Sequence, residues 1–165
     1  LVYFTRGVPV IYYGDEQGFV GDGGDQDSRQ NMMPSLVNSY NDDDLLATNK
    51  TTKEDNFDVN HPFYKAFSDY SELYQQYPAL RFGEQSTLYA QKEAGLFIIK
   101  RTLSKSTKAY STARDMIVVF NTSKHTQKVN FGELKVDAKL VYQSDNKSTN
   151  SATAPLSFSL YEVKQ

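Results

Sequence analysis

Cysteine does not occur among the 165 residues of this chain, which excludes disulfides, thiolate metal centres and cysteine nucleophiles. Tryptophan is also absent, so 12 tyrosines and 10 phenylalanines supply all of the aromatic surface. No apolar run approaches the ~20 residues of a membrane-spanning helix, and no membrane partner is expected. Only two histidines are present. His61 opens a helical pattern and His125 falls in a turn between strands. Neither has metal-ligand spacing, and both read as structural. No Ser-His-Asp order, P-loop or dinucleotide fingerprint occurs. The GDGGD stretch at residues 21–25 lacks the lysine and the following helix of a phosphate cradle.

What is present divides unevenly. The net charge of −2 conceals an acidic first part, with 5 Lys/Arg against 13 Asp/Glu up to Leu80, and a basic remainder, with 13 against 7 from Arg81. The split predicts two structural units, residues 1–80 and 81–165. Lysines of the second part are scattered singly along strand-like sequence. That is the pattern of a solvated face, so no nucleic-acid partner is expected.

"VPVIYY", residues 8–13, is apolar or aromatic without alternation and stands between Gly7 and Gly14. Such a run fits a strand buried on both faces, with Pro9 tolerable near its start. Residues 1–5 would be the last turn of a preceding helix. Because this looks like chain interior, polypeptide is expected to precede Leu1, and the missing targeting pattern says nothing of compartment. Residues 14–60 form a polar segment rich in Gly and Asp, of a length usually tied to function or disorder. Residues 61–80 carry the helical period: Asn60 as cap, Pro62 in the first turn, Phe63, Phe67, Tyr70, Tyr74 and Tyr77 as a core stripe, and Pro78 as the stop. Beyond Arg81 short strand patterns recur about every ten residues, from STLYAQK to LSFSLYEV, and predict an antiparallel sandwich. Residues 104–114 and 145–154 read as polar loops.

Candidate chemistry concentrates in the acidic loop. Asp22, Asp25 and Asp27 are weak calcium candidates by spacing, but the twelve-residue calcium pattern is incomplete, and Asp-Gly turn formation is the simpler account. Asp15 and Glu16 are adjacent, so their carboxylates point apart rather than working as an acid–base pair. Arg29 either bridges loop carboxylates or meets a polar ligand. Asn49, Asn121 and Asn146 begin N-x-S/T patterns, which arise readily in sequence this rich in Ser, Thr and Asn, and no function is attached to them.

"GVPVIYYGDEQG" resembles the G-x-P-x-x-Y-Y-G-x-E motif of the last conserved barrel strand in the α-amylase family of glycoside hydrolases. Gly7, Pro9, Tyr12, Tyr13, Gly14 and Glu16 match it in order. "GDGGDQDSRQNMMPS" resembles the loop after barrel strand eight in bacterial amylase and pullulanase-like members. It departs at Gln30 and Asn31, where many relatives carry a second Arg or an acidic residue. "HPFYKAFSDYSELYQQYPALRFG" is similar to the family's last barrel helix, and "DMIVVFNTS" to the strand that opens the core of its C-terminal β-domain.

The resemblance implies a mixed fold class: the C-terminal end of a (β/α)8 barrel (strand 8, rim loop and last helix, residues 1–80) followed by an all-β antiparallel sandwich, domain C, in residues 81–165. It implies that Tyr13, Glu16, Asp27 and Arg29 stand at the rim of the substrate cleft. No segment matches the motifs of the family's catalytic carboxylates, so no catalytic residue is assigned. The implied function is that of a C-terminal fragment of a retaining α-glucan hydrolase, inactive alone. The alternative is a non-catalytic structural or carbohydrate-binding sandwich. Lack of tryptophan, with Tyr89, Phe97, Phe120, Tyr142, Phe158 and Tyr161 mostly assignable to a core, favours packing over sugar binding there. No cofactor is implied, though calcium is admissible in a longer parent. Expected partners are the parent's α-glucan and either the remainder of the barrel or another copy of the chain, with a secreted or periplasmic location by family habit. A lone barrel strand exposes two edges and two apolar faces, so residues 1–80 are not expected to fold natively alone. A truncated product stabilised by association is expected instead.

Overall fold

A computed structural model of the chain describes residues 1–21, 23–104, 110 and 112–164. These form two compact units, one of Leu1–Val8 with Leu73–Gln165, the other of Pro9–Glu72.

The first unit is built on a five-stranded antiparallel sheet. Strands β1 (Glu84–Ala90), β2 (Leu96–Thr102), β3 (Met116–Asn121), β5 (Ala138–Gln143) and β7 (Ser157–Val163) pair in the order β1-β2-β3-β7-β5. Two further strands, β4 (Gln127–Lys128) and β6 (Ala152–Thr153), form a separate ribbon. Strand β6 falls in sequence expected to be polar loop. β3, MIVVFN, lies at the centre and is buried at every position, as a continuous apolar run requires when both sheet faces are covered.

Period-two alternation sorts the side chains between those faces. On one, Leu96, Ile98, Ile117, Val119 and Tyr161 pack with Val129. On the other, an aromatic row crosses four strands: Phe97 to Phe120 at 6.0 Å, Phe120 to Phe158 at 6.3 Å, and Phe158 to Tyr142 at 5.6 Å between ring centroids. The register sets Phe97 opposite Phe120 and Phe120 opposite Phe158, which brings these rings together. Ser157, Ser159 and Tyr161 of β7 alternate with Phe158 and Leu160, yet all five are buried.

Residues 1–8 close the aromatic face. Phe4 is buried, with its ring 5.1 Å from Phe158. Arg101, only 2% exposed, anchors the segment: its Nη1 donates to the Phe4 carbonyl at 3.1 Å and its Nε to the Gly83 carbonyl at 3.2 Å. Residues 1–5 make a single turn, with the Phe4 and Thr5 amides both donating to the Leu1 carbonyl.

Helix α1 spans Pro62–Gln76 and α2 spans Pro78–Phe82. Pro78 ends α1 as expected and also occupies the first turn of α2, where a missing N–H costs nothing. The cap of α1 is His61 instead of Asn60, because the Phe63 amide donates to His61 Nδ1 at 3.1 Å. The aromatic stripe of α1 is half-buried, and Leu73 is the buried residue of the helix.

Residues 8–13, expected as a buried barrel strand, form no strand. Val8 and Val10 are 85% and 79% exposed. Pairing is the reason. A strand of a closed barrel is hydrogen-bonded on both sides, and among the described residues no segment offers 8–13 a ladder. The end of a barrel is therefore not formed as such, whereas the antiparallel sheet is.

Candidate functional site

The unit Pro9–Glu72 is mostly loop, and polar side chains hold it. Gly14 (φ 94°) and Gly18 (φ 78°) bracket a 3-10 turn, Asp15–Gln17. Both glycines adopt left-handed backbone that other residues enter only with strain. A Cβ on Gly18 would also stand 2.5 Å from the Leu46 carbonyl, while the Leu46 amide donates to the Gly18 carbonyl at 2.9 Å. Buried Gln17 grips Asp58 twice: its Nε2 donates to the Asp58 carbonyl and its Oε1 accepts the Asp58 amide, both at 3.1 Å. Buried Gln30 donates to the Asp43 carboxylate, whose backbone amide donates to Thr52 Oγ1. Leu45 is the buried hydrophobic residue of this unit among the described residues. Such a segment keeps its shape through hydrogen bonds that must all be made, since a buried polar group left unpaired costs about 1–3 kcal/mol.

That frame shapes a cleft of about 510 Å³ lined by Tyr12, Tyr13, Asp15, Phe19, Asp25 and Arg29, together with Ser28 and Gln30. Tyr12 and Tyr13 are 53% and 47% exposed, with ring centroids 4.4 Å apart. The Tyr12 hydroxyl, hydrogen-bonded to Tyr13, raises the Tyr13 phenol above the usual tyrosine pKa, while the Arg29 cation pulls it down. Arg29 Nη2 meets Asp25 Oδ2 at 2.5 Å. Both members of the pair are largely in water, so it orients the guanidinium without adding much stability.

Of the residues expected at a cleft rim, Tyr13 and Arg29 are brought together, and Glu16 and Asp27 are not among the cleft's lining residues. Glu16 Oε2 accepts the Gly14 amide at 2.9 Å, and Asp15 Oδ2 accepts the Tyr12 amide at 3.1 Å, so these neighbours hold the backbone that leads into the turn. Asp27 is half-buried with its carboxylate against Gly23, where a Cβ would stand. Between the alternatives for Arg29, the loop carboxylate is the observed partner. Sequence reasoning named Tyr12 only as part of the family motif and Gln30 only as a departure from it, and it did not single out Phe19; the bracketing glycines signal that the chain turns back there.

Calcium fits poorly. Asp25 is taken by Arg29, Asp27 lies against Gly23, and Asp22 is outside the described residues. Among the described residues no three acidic or histidine side chains converge. The cleft's carboxylates are exposed and already engaged, Asp15 by the Tyr12 amide and Asp25 by Arg29.

No protein-family model matches the sequence. A curated relative, an α-amylase of Streptomyces lividans, is 43% identical over 123 residues, covering 74% of this chain. This chain spans 13% of that relative's length. Solved structures share the fold at low identity. The isomaltulose synthase SmuA of Protaminobacter rubrum aligns over 99% of this chain and 37% of its own, with 14% identity and a TM-score of 0.66. The α-amylase of H. orenii aligns over 96% of this chain and 33% of its own, with 14% identity and a TM-score of 0.59. The maltogenic amylase of S. marinus aligns over 98% of this chain and 18% of its own, with 20% identity and a TM-score of 0.57. The antiparallel sheet corresponds to the β-sandwich of amylase-type enzymes, and this chain belongs to the α-amylase family of glycoside hydrolases.

Proposed function

We propose that this chain is the closing part of a retaining α-glucan hydrolase, contributing a sugar-facing rim and a structural sandwich while the catalytic carboxylates come from elsewhere in a longer polypeptide. Residues 8–13 would then dock into the remainder of the barrel, which would supply the ladder they lack. Tyr13 and Arg29, with Tyr12, face the glucan; Glu16 and Asp27 hold the loop that presents them. The observation that carries this reading is the exposed tyrosine pair beside the Arg29–Asp25 pair, in a chain 43% identical to an α-amylase.

The chain is expected to be inert on starch, maltooligosaccharides and pullulan, measured as reducing ends released. Titration with maltooligosaccharides should move backbone resonances of residues 12–30 and leave those of β1 to β7 in place. Robust turnover, or shifts confined to the sandwich, would overturn the assignment.

A second reading, sugar binding by the sandwich, draws on one groove of about 150 Å³ where Tyr89, Gln91, Gln127 and Lys128 meet. Tyr89 is the strand aromatic left exposed, while Phe120, Phe158 and Tyr161 are buried. One ring without a second platform favours the structural role.

A further inference from the structure

The histidine that the sequence marks as bland joins two elements of the loop unit. Its ring is 3% exposed and fully committed. Phe63 N–H can only donate, so the Nδ1 that receives it at 3.1 Å is the acceptor nitrogen. The hydrogen must then sit on Nε2, which lies 3.0 Å from the Leu46 carbonyl and donates to it. From Leu46 the connection continues within hydrogen-bond range, since its amide donates to Gly18 at 2.9 Å. Gly18 ends the 3-10 turn whose Asp15, together with Phe19 just beyond, lines the cleft.

We infer that His61 is a positioning residue: through Leu46 and Gly18 it fixes the Asp15–Phe19 edge of the cleft to the first turn of α1. The carbonyl it holds, Leu46 O, is the atom that excludes a Cβ at Gly18, so a shift at Leu46 is transmitted at van der Waals contact. Gln17 ties the same turn to Asp58, three residues before the histidine, and the Asp58 carbonyl also accepts the His61 amide at 3.0 Å. The C-terminal end of the turn, Gln17 and Gly18, is thus held twice to the segment that begins the helix.

The two ring nitrogens can be separated by substitution in the full 165-residue chain. His61→Asn places an oxygen near Nδ1 and keeps the cap on Phe63, but has no donor to reach Leu46. His61→Gln places an amide N–H near Nε2 and keeps the tether, but loses the cap. Amide exchange at Leu46 should therefore speed up about tenfold in His61→Asn and stay near wild type in His61→Gln, with the Phe63 amide showing the reverse. Equal behaviour of the two variants, or unchanged Leu46 exchange in His61→Asn, overturns the inference. Should His61→Asn fail to fold, His61→Gln decides alone: Phe63 must exchange faster with Leu46 unchanged. Maltohexaose affinity, which rests on the α-glucan reading of the cleft, should fall about tenfold in His61→Asn only. A wild-type chain that ignores the sugar would refute that reading while the exchange data still judge the histidine.

Discussion

Tyr161 shows how one buried hydroxyl sets a pH limit. Its ring lies in the sheet core, 4.7 Å from Phe131, and burial raises its pKa, with the Ser159 and Thr153 hydroxyls partly opposing that rise. The neutral phenol is the form the fold accommodates. Above the unfolded tyrosine value of about 10 the unfolded chain loses a proton that the folded chain keeps. The stabilising contribution is therefore complete below that value and is lost as pH rises through the raised folded value. Tyr161→Phe should flatten the alkaline limb of a stability–pH profile measured by urea unfolding, because no ionisation is then coupled to folding there. An unchanged alkaline limb would mean that other groups, such as the half-buried Tyr77, also raised by burial, dominate it. Arg101 is another buried ionisable anchor. Burial lowers its pKa, and it spends its donors on the Phe4 and Gly83 carbonyls, which binds the N-terminal turn to the sheet.

Elements were legible where one period dominated. MIVVFN and LSFSLYEV announced β3 and β7, and the aromatic period announced α1, because burial against a neighbouring layer rewards those patterns directly. Of the β4–β6 ribbon, β4 falls within the strand pattern TQKVNF, but β6 was not legible, since two residues leave no period, and what fixes it is Asn121 at the end of β3. Its Nδ2 donates to the carbonyls of His125, Thr153 and Ala154, and its Oδ1 accepts the Ser123 amide and hydroxyl. An N-x-S/T pattern that looked incidental is in fact a buried hub joining β3 to β6. Tyr12 and Phe19 were illegible for a related reason, as their place depends on Gly14 and Gly18 folding the chain back, and a glycine records a permitted turn without its direction. Asn121→Asp replaces a shared donor with a carboxylate facing three carbonyl oxygens, so stability at neutral pH should fall by about 3–5 kcal/mol. Lowering pH should restore part of the loss, since the introduced carboxyl, once protonated, regains one donor. A difference under about 0.5 kcal/mol in urea unfolding would remove the hub role.

For the whole molecule, the decisive feature is the stretch that sequence marks most clearly and structure leaves bare. Residues 8–13 carry most of the stretch that resembles the last barrel strand of the α-amylase family, yet Val8, Val10, Tyr12 and Tyr13 are exposed on backbone without a ladder. The apolar pattern led to the expectation of a strand, but a pattern does not reveal whether a partner strand is present. An unpaired apolar run of high β propensity is a template for pairing with another chain. If the remainder of a barrel is its proper neighbour, the 165-residue chain by itself should satisfy the run with a second copy. Sedimentation velocity should then show association that grows with concentration. The double variant Val8→Lys with Val10→Lys should return the chain to a monomer with an unchanged far-ultraviolet spectrum, since both side chains are already exposed to water. Wild type that sediments as a monomer at every concentration would sink the pairing argument. So would a double variant that associates as strongly as wild type, because the contact would then lie elsewhere than on residues 8–13.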